Sequence, residues 1–209
     1  MNNPYEGIPS NLLTKGGALI AGVDEVGRGC LFGPVFAAVV AVPLEYIPLL
    51  LQLGVKDSKK LSHCQRYKIF QQMQSHNCIY RLGYATAQEI DQLNILQASL
   101  KAMSRAVNKL PQKPDCTLVD GKFPIPNFAT AQYTLIRGDD RSPVIALASI
   151  IAKLFRDELI DRFAQKYPQY GLSKHKGYPT AVHIQSLREY GPCPQHRFSF
   201  APVRELGAC

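Results

Sequence analysis

The stretch Ala21-Gly22-Val23-Asp24-Glu25-Val26-Gly27-Arg28-Gly29 constrains this chain more than any other. It continues a small apolar run over residues 17–20, and an apolar run that ends in adjacent carboxylates and glycines reads as a buried strand feeding a functional turn. Neighbouring side chains on a regular strand face opposite ways, so Asp24 and Glu25 share a site only where the strand ends or bulges. Gly27 and Gly29 allow such a break. A solvated acidic turn is the ordinary alternative. A phosphate loop is another, because Gly22 and Gly27 have its spacing, but Arg28 and Gly29 stand where that loop carries Lys and Ser or Thr. Paired acids suit a hard cation such as Mg²⁺ or Mn²⁺, which can in turn hold phosphate.

Other apolar runs end in the same way. Residues 116–119 lead into Asp120-Gly121, and residues 131–136 lead into Arg137-Gly138-Asp139-Asp140. Each acid alone is an ordinary turn residue. Carboxylates delivered from several strand ends are also how an open α/β sheet builds a site along one edge.

Between these runs the pattern alternates. Strands are expected at 18–24 and 34–42, antiparallel to each other, and at 79–85. Helices are expected from a Ser62 cap to about residue 73, over 87–93, and over 95–110 with Leu96, Leu100, Met103 and Val107 facing the core. A long helix over 144–163 and a shorter one over 179–190 complete the pattern. Residues 1–16 mix Asn, Pro, Gly, Ser and Lys, and read as a flexible leader without a core of its own. The remainder, 17–209, reads as one catalytic domain.

The balance of 24 Lys and Arg against 16 Asp and Glu gives a charge of +8, which favours a polyanionic partner or serves as a solvating basic face. Lys174, Lys176 and Tyr178 interleave basic and aromatic groups, a pattern suited to phosphates and to stacking on a sugar or base. Six scattered cysteines with no secretory leader suggest reduced thiols in a cytoplasmic protein. No apolar run is long enough to span a bilayer, so no membrane partner is expected. A monomer is the default.

In sequence order, Gly22–Gly29, Asp57-Ser58-Lys59-Lys60-Leu61-Ser62, Val119-Asp120-Gly121, Gly138-Asp139, Ala148-Ser149-Ile150-Ile151-Ala152-Lys153 and His175-Lys176-Gly177-Tyr178 resemble the motif blocks of bacterial type 2 ribonuclease H, ribonuclease HII. The resemblance spans residues 18–203. It implies an α/β, ribonuclease H-like mixed sheet of about five strands flanked by helices, with a helical, substrate-binding C-terminal portion at about 167–203. Lys122 stands where the family commonly has Asn, and Leu147 interrupts a run of small residues. The related ribonuclease HIII carries a further N-terminal domain, for which the short leader leaves no room.

What the resemblance implies for function is specific. Asp24, Glu25, Asp120 and Asp139 become catalytic carboxylates holding two divalent cations, Mg²⁺ or Mn²⁺, with Asp24 bridging them. Asp140 is the alternative to Asp139, and Asp157 is a supporting residue. Gly27, Arg28, Gly29, Lys59, Lys174, Lys176 and Tyr178 become substrate contacts. The expected substrates are RNA/DNA hybrids and duplex DNA containing ribonucleotides, cut on the 5′ side. A non-catalytic nucleic-acid binder and another nuclease or strand-transfer enzyme on the same fold are the competing readings.

Overall fold

A computed structural model describes residues 3–55, 61–76 and 78–206. Its centre is a five-stranded mixed sheet of β1 (Leu19–Val26), β2 (Val35–Pro43), β3 (Ile79–Ala85), β4 (Cys116–Asp120) and β5 (Gln132–Leu135), in the order β3-β2-β1-β4-β5. β1 and β2 are antiparallel from Leu19↔Pro43 to Val26↔Phe36, as their shared turn requires. β4 runs parallel to β1. The helices are α1 (Ser10–Leu13), α2 (Ile47–Gln52), α3 (His63–Gln74), α4 (Ala87–Leu93), α5 (Ile95–Val107), α6 (Gly138–Arg141), α7 (Pro143–Lys166), α8 (Leu172–His175), α9 (Ala181–Tyr190) and α10 (Ala201–Leu206). Local signals fix several boundaries. Ser62 caps α3 with a reciprocal Gln65 contact, and Thr86 and Glu89 do the same for α4.

Alternation along β1 sorts its residues to two cores. Ile20 joins Ala38, Val40 and Leu118 beneath α7, whereas Ala21 and Val23 join Val39, Ala41 and Val119 beneath α5. Two glycines set how closely the helices approach. A Cβ on Gly22 would lie 2.5 Å from the Val144 backbone of α7, and one on Gly83 would lie 2.1 Å from the Ala102 carbonyl of α5. Both helices therefore need glycine on the sheet to reach it. On α5 the nearest approach uses Ala102 and Ala106 opposite Gly83, while Leu100, Met103 and Val107 are buried as expected and Leu96 packs at the edge.

The C-terminal helices have a core of their own, with Leu31, Phe32, Ile160, Tyr170, Leu172, Leu187 and Val203 buried together. Phe32 anchors it, meeting the rings of Phe163, Tyr167 and His196 edge-on at 4.9–5.8 Å. This holds the turn after α8 against the loop that follows β1: Leu31 donates its N–H to the Gly177 carbonyl at 2.8 Å.

The N-terminal segment departs from the expectation of a loose leader. Ile8 and Leu12 are buried in the α7-side core, Gly7 abuts Leu118 and Leu135, and Glu6 pairs with Arg141. Its polar composition conceals two apolar anchors, each stabilising by roughly 1.5–3 kcal/mol when fully buried.

Candidate active site

Asp24 and Asp120 come together because of register. The β1–β4 ladder ends at Val23↔Val119, and the next residue on each parallel strand is an aspartate on the α7 face. The break expected in β1 itself is absent: its pairing with β2 continues through Glu25↔Ala37 and Val26↔Phe36. It is the neighbouring ladder that stops, so Glu25 leaves from the opposite face and still reaches the same point beyond the end of β4. One oxygen from each of Asp24, Glu25 and Asp120 lies within 4.8 Å of the others. The Glu25 N–H also donates to Asp24 Oδ1 at 2.7 Å.

Asp139 enters from the turn after β5. The Gly138 N–H donates to Asp120 Oδ1 at 2.6 Å, and a Cβ at Gly138 would meet Ile145 at 2.5 Å and Asp120 Oδ1 at 3.2 Å. Only glycine lets this turn settle onto Asp120. Asp139 is buried and lines the same cleft as the other three carboxylates, whereas Asp140 is exposed and pairs with Arg137 at 2.7 Å.

The cleft, about 390 Å³, is also lined by Gly27, Arg28, Gly29, Arg137, Ser149, Lys153 and Tyr178. Burial pushes the Asp24 carboxyl well above its ordinary value; repulsion from Glu25 and Asp120 adds to this, and hydrogen bonds from Ser149 and the Glu25 backbone oppose it. Burial raises Glu25 as well, partly offset by Arg28, whose Nη1 lies 3.0 Å from Glu25 Oε1. Crowded carboxylates of this kind repel one another until a cation neutralises them. Their oxygens are the donors that Mg²⁺ and Mn²⁺ prefer, so the residues fit a hard divalent ion.

The sequence assigns no role in the site to Ser149, Lys153 or Arg137. Ser149 and Lys153 stand four apart on α7 and so share a face, and a polar pair at that spacing in the apolar first half of the helix is the available signal. Lys153 is held by Asp157 at 2.7 Å, and Asp157 lies 3.6 Å from Arg66, which gives the expected supporting residue a physical task. Arg137 adopts a left-handed conformation at φ +56°, which orients the turn carrying Asp139.

The expected substrate contacts divide. Arg28, Gly29 and Tyr178 line the cleft, and the Tyr178 ring lies 6.0 Å from the Lys153 ammonium. Gly27 lines it too, but its missing side chain faces inward: a Cβ there would sit 2.2 Å from Arg156 Nε, at φ +90°. The absent side chain of Gly27 therefore makes room for Arg156, and what Gly27 presents to the cleft is backbone. Gly29 has open space where a Cβ would stand. Lys174 is exposed outside the cleft lining, and Lys176 is engaged by Asp161. Lys59 lies outside the described residues.

The geometry agrees with comparisons to known proteins. The family model for ribonuclease HII matches residues 21–203. Ribonuclease HII of Microcystis aeruginosa is 55% identical over 186 residues, covering 89% of each chain. The crystal structure of ribonuclease H2 from Pyrococcus horikoshii superposes with a TM-score of 0.78 at 28% identity, covering 91% of this chain and 97% of that one. Bst ribonuclease HIII in complex with Mn²⁺, at 20% identity and a TM-score of 0.66 over 100% of this chain and 76% of that one, shares the fold. Shared sequence across nearly the whole length, and a carboxylate cluster at the sheet edge, place this chain in the ribonuclease HII family of metal-dependent endoribonucleases.

Proposed function

We propose that the protein cleaves the RNA strand of RNA/DNA hybrids and cuts 5′ of ribonucleotides embedded in duplex DNA. The observation that supports this best is the sharing of one cleft by the carboxylate cluster, the Arg28-Gly29 backbone and Tyr178. Two divalent cations, Mg²⁺ or Mn²⁺, held by Asp24, Glu25, Asp120 and Asp139, would supply the Lewis acidity that activates water and stabilises the departing 3′ oxygen. Asp24 is the most buried of the three clustered carboxylates, with Glu25 and Asp120 both close to it, and would take the shared position. Ser149 orients it by hydrogen bonding.

The remaining groups position the substrate. Lys153, Arg28 and Arg137 surround the carboxylates with positive charge, which holds phosphates at the mouth of the cleft. A 2′-hydroxyl both donates and accepts hydrogen bonds, so backbone groups at Arg28 and Gly29 can read it at close range. The Tyr178 ring is 38% exposed, enough to pack on the next sugar, where a 2′-hydroxyl would crowd it. That pair of contacts selects an RNA-to-DNA junction.

We assign residues 17–209 to the catalytic unit, acting as a monomer in the cytoplasm. The described cysteines Cys30, Cys64, Cys78, Cys116 and Cys193 are free thiols, in keeping with a reducing compartment. Among the described residues no helix is long and apolar enough to cross a membrane.

The test is a panel of duplex DNA, duplex RNA, uniform hybrid and DNA carrying one ribonucleotide, with Mg²⁺, Mn²⁺ or chelator. Cleavage is expected on the last two, only with metal, and with a single 5′ cut at the lone ribonucleotide. Tyr178→Ala should reduce selectivity for that junction more than hybrid cleavage. Indifference of the wild type to the lone ribonucleotide would refute the junction reading.

A further inference from the structure

Arg156 on α7 and Arg197 beyond α9 are both fully buried. A buried guanidinium is costly unless its N–H groups find acceptors. Here the acceptors among the described residues are backbone carbonyls. Arg197 donates to Gly27, Arg28 and Gly33 at 2.7, 2.8 and 3.0 Å, and Arg156 donates to Lys176, Phe32 and Pro34 at 3.0, 3.2 and 3.2 Å.

These bonds have a consequence for the cleft. In a planar trans peptide the carbonyl and the following N–H point in opposite directions. Arg197 draws the Gly27 and Arg28 carbonyls inward, so the N–H groups of Arg28 and Gly29 turn outward, toward the cleft those residues line. Arg156 meanwhile joins the same loop, through Phe32 and Pro34, to the Lys176 carbonyl two residues before Tyr178. Gly27 is what lets Arg156 lie beneath the loop, since a Cβ there would fall 2.2 Å from its Nε.

We propose that Arg197 and Arg156 are positioning residues for ribose recognition: Arg197 sets the direction of the Arg28 and Gly29 N–H groups, and Arg156 fixes their placement relative to Tyr178. This rests on the reading of that loop and Tyr178 as the ribonucleotide reader. Lysine cannot replace either one, because a point ammonium cannot engage three carbonyls arranged around a planar fork. Burial lowers Arg197 only to about 10, so the fork stays fully protonated at neutral pH.

The experiment compares wild type, Arg197→Lys and Arg156→Lys for affinity to duplex DNA with one ribonucleotide and to the same duplex without it, with Ca²⁺ in place of the catalytic ion. Mn²⁺ binding by calorimetry and melting temperature are measured alongside. Wild type should favour the ribonucleotide, and each variant should lose about tenfold of that preference, the equivalent of one hydrogen bond, with Mn²⁺ binding and plain-DNA affinity kept. No preference in the wild type defeats the junction reading and this proposal with it. Preference retained in both variants, or affinity lost equally on both duplexes, overturns the positioning role alone. If the variants do not fold, the wild type decides by NMR. Couplings from the Arg197 guanidinium to the Gly27 and Arg28 carbonyls, with amide shifts at Arg28 and Gly29 for the ribonucleotide duplex alone, support the proposal; their absence overturns it.

Discussion

Arg137 and Asp140 pair across one turn at 2.7 Å, which occupies the outer carboxylate of the Asp139-Asp140 pair and leaves the inner one on the cleft wall. The two acids should therefore differ sharply when each is changed. Asp139→Asn should lower kcat by about a hundredfold or more, the rate equivalent of several kcal/mol of lost charge stabilisation. Asp140→Asn removes only an exposed ion pair and should stay within a few-fold of wild type. Steady-state cleavage of a uniform hybrid separates them, and the reverse ranking would exchange the assignment.

The raised carboxyls make a prediction about pH. Asp24 and Glu25 bind protons more tightly in the folded chain than in the unfolded one, so the unfolded state is the more acidic. Their contribution to metal-free stability is fully present below the ordinary carboxylate value and is lost as pH rises through the folded values. Asp24→Asn removes the buried charge and should raise the melting temperature of the chelated protein at neutral pH. It should also shrink the stabilisation that Mg²⁺ or Mn²⁺ confers on the wild type. Melting curves from about pH 4 to 8, with and without metal, test both halves. A chelated variant that melts below wild type throughout would show that the charge is not under strain.

Gly27 and Gly29 should fail differently. Ala at Gly27 must displace Arg156 and hold a positive φ, costing about 1–3 kcal/mol of stability. Ala at Gly29 meets nothing in the free protein and should fold normally, yet raise KM by obstructing the approach of the sugar. Chemical denaturation paired with KM on a single-ribonucleotide duplex resolves the two. Equal stability losses would refute the distinction.

What could be read from sequence follows from which forces are local. The strands at 18–24 and 79–85, the Ser62 cap and the long helix over 144–163 were legible because apolar and aromatic runs, capping and helical spacing are set by residues close together in the chain. So was the convergence of Asp24, Glu25 and Asp120, since acids at strand ends share an edge once the sheet forms. The docking of Ile8 and Leu12 was not, because the core they join is assembled from residues along much of the chain, and the neighbouring Gly7 abuts Leu118 and Leu135. Nor was the inward aim of Gly27: glycine announces a close approach without saying to what. Arg156 and Arg197 look like surface cations in the sequence, and only the carbonyls folded around them explain their burial. Lys176 looked free to meet phosphate, and its partner Asp161 lies on a different helix.

That last difference reshapes what salt dependence should show. Each complete Lys or Arg contact to phosphate releases condensed counterions, so neutralising it should flatten a plot of log affinity against log salt by about one unit. Lys176 is already engaged by Asp161, so Lys176→Ala should leave the slope nearly unchanged, while exposed Lys174 remains able to contribute. Arg28 is the informative case. Its guanidinium lies 3.0 Å from Glu25, and a divalent ion on Glu25 competes for the same carboxylate. With chelator present Arg28 stays committed to Glu25, and Arg28→Gln should bind an RNA/DNA hybrid with nearly the wild-type slope. With Ca²⁺ supplied, Arg28 is released toward phosphate, and wild type and variant should then differ by about one unit. Binding isotherms at several salt concentrations, with chelator and with Ca²⁺, give the four slopes required. A difference that is the same in both conditions would mean that Arg28 meets phosphate independently of the state of Glu25.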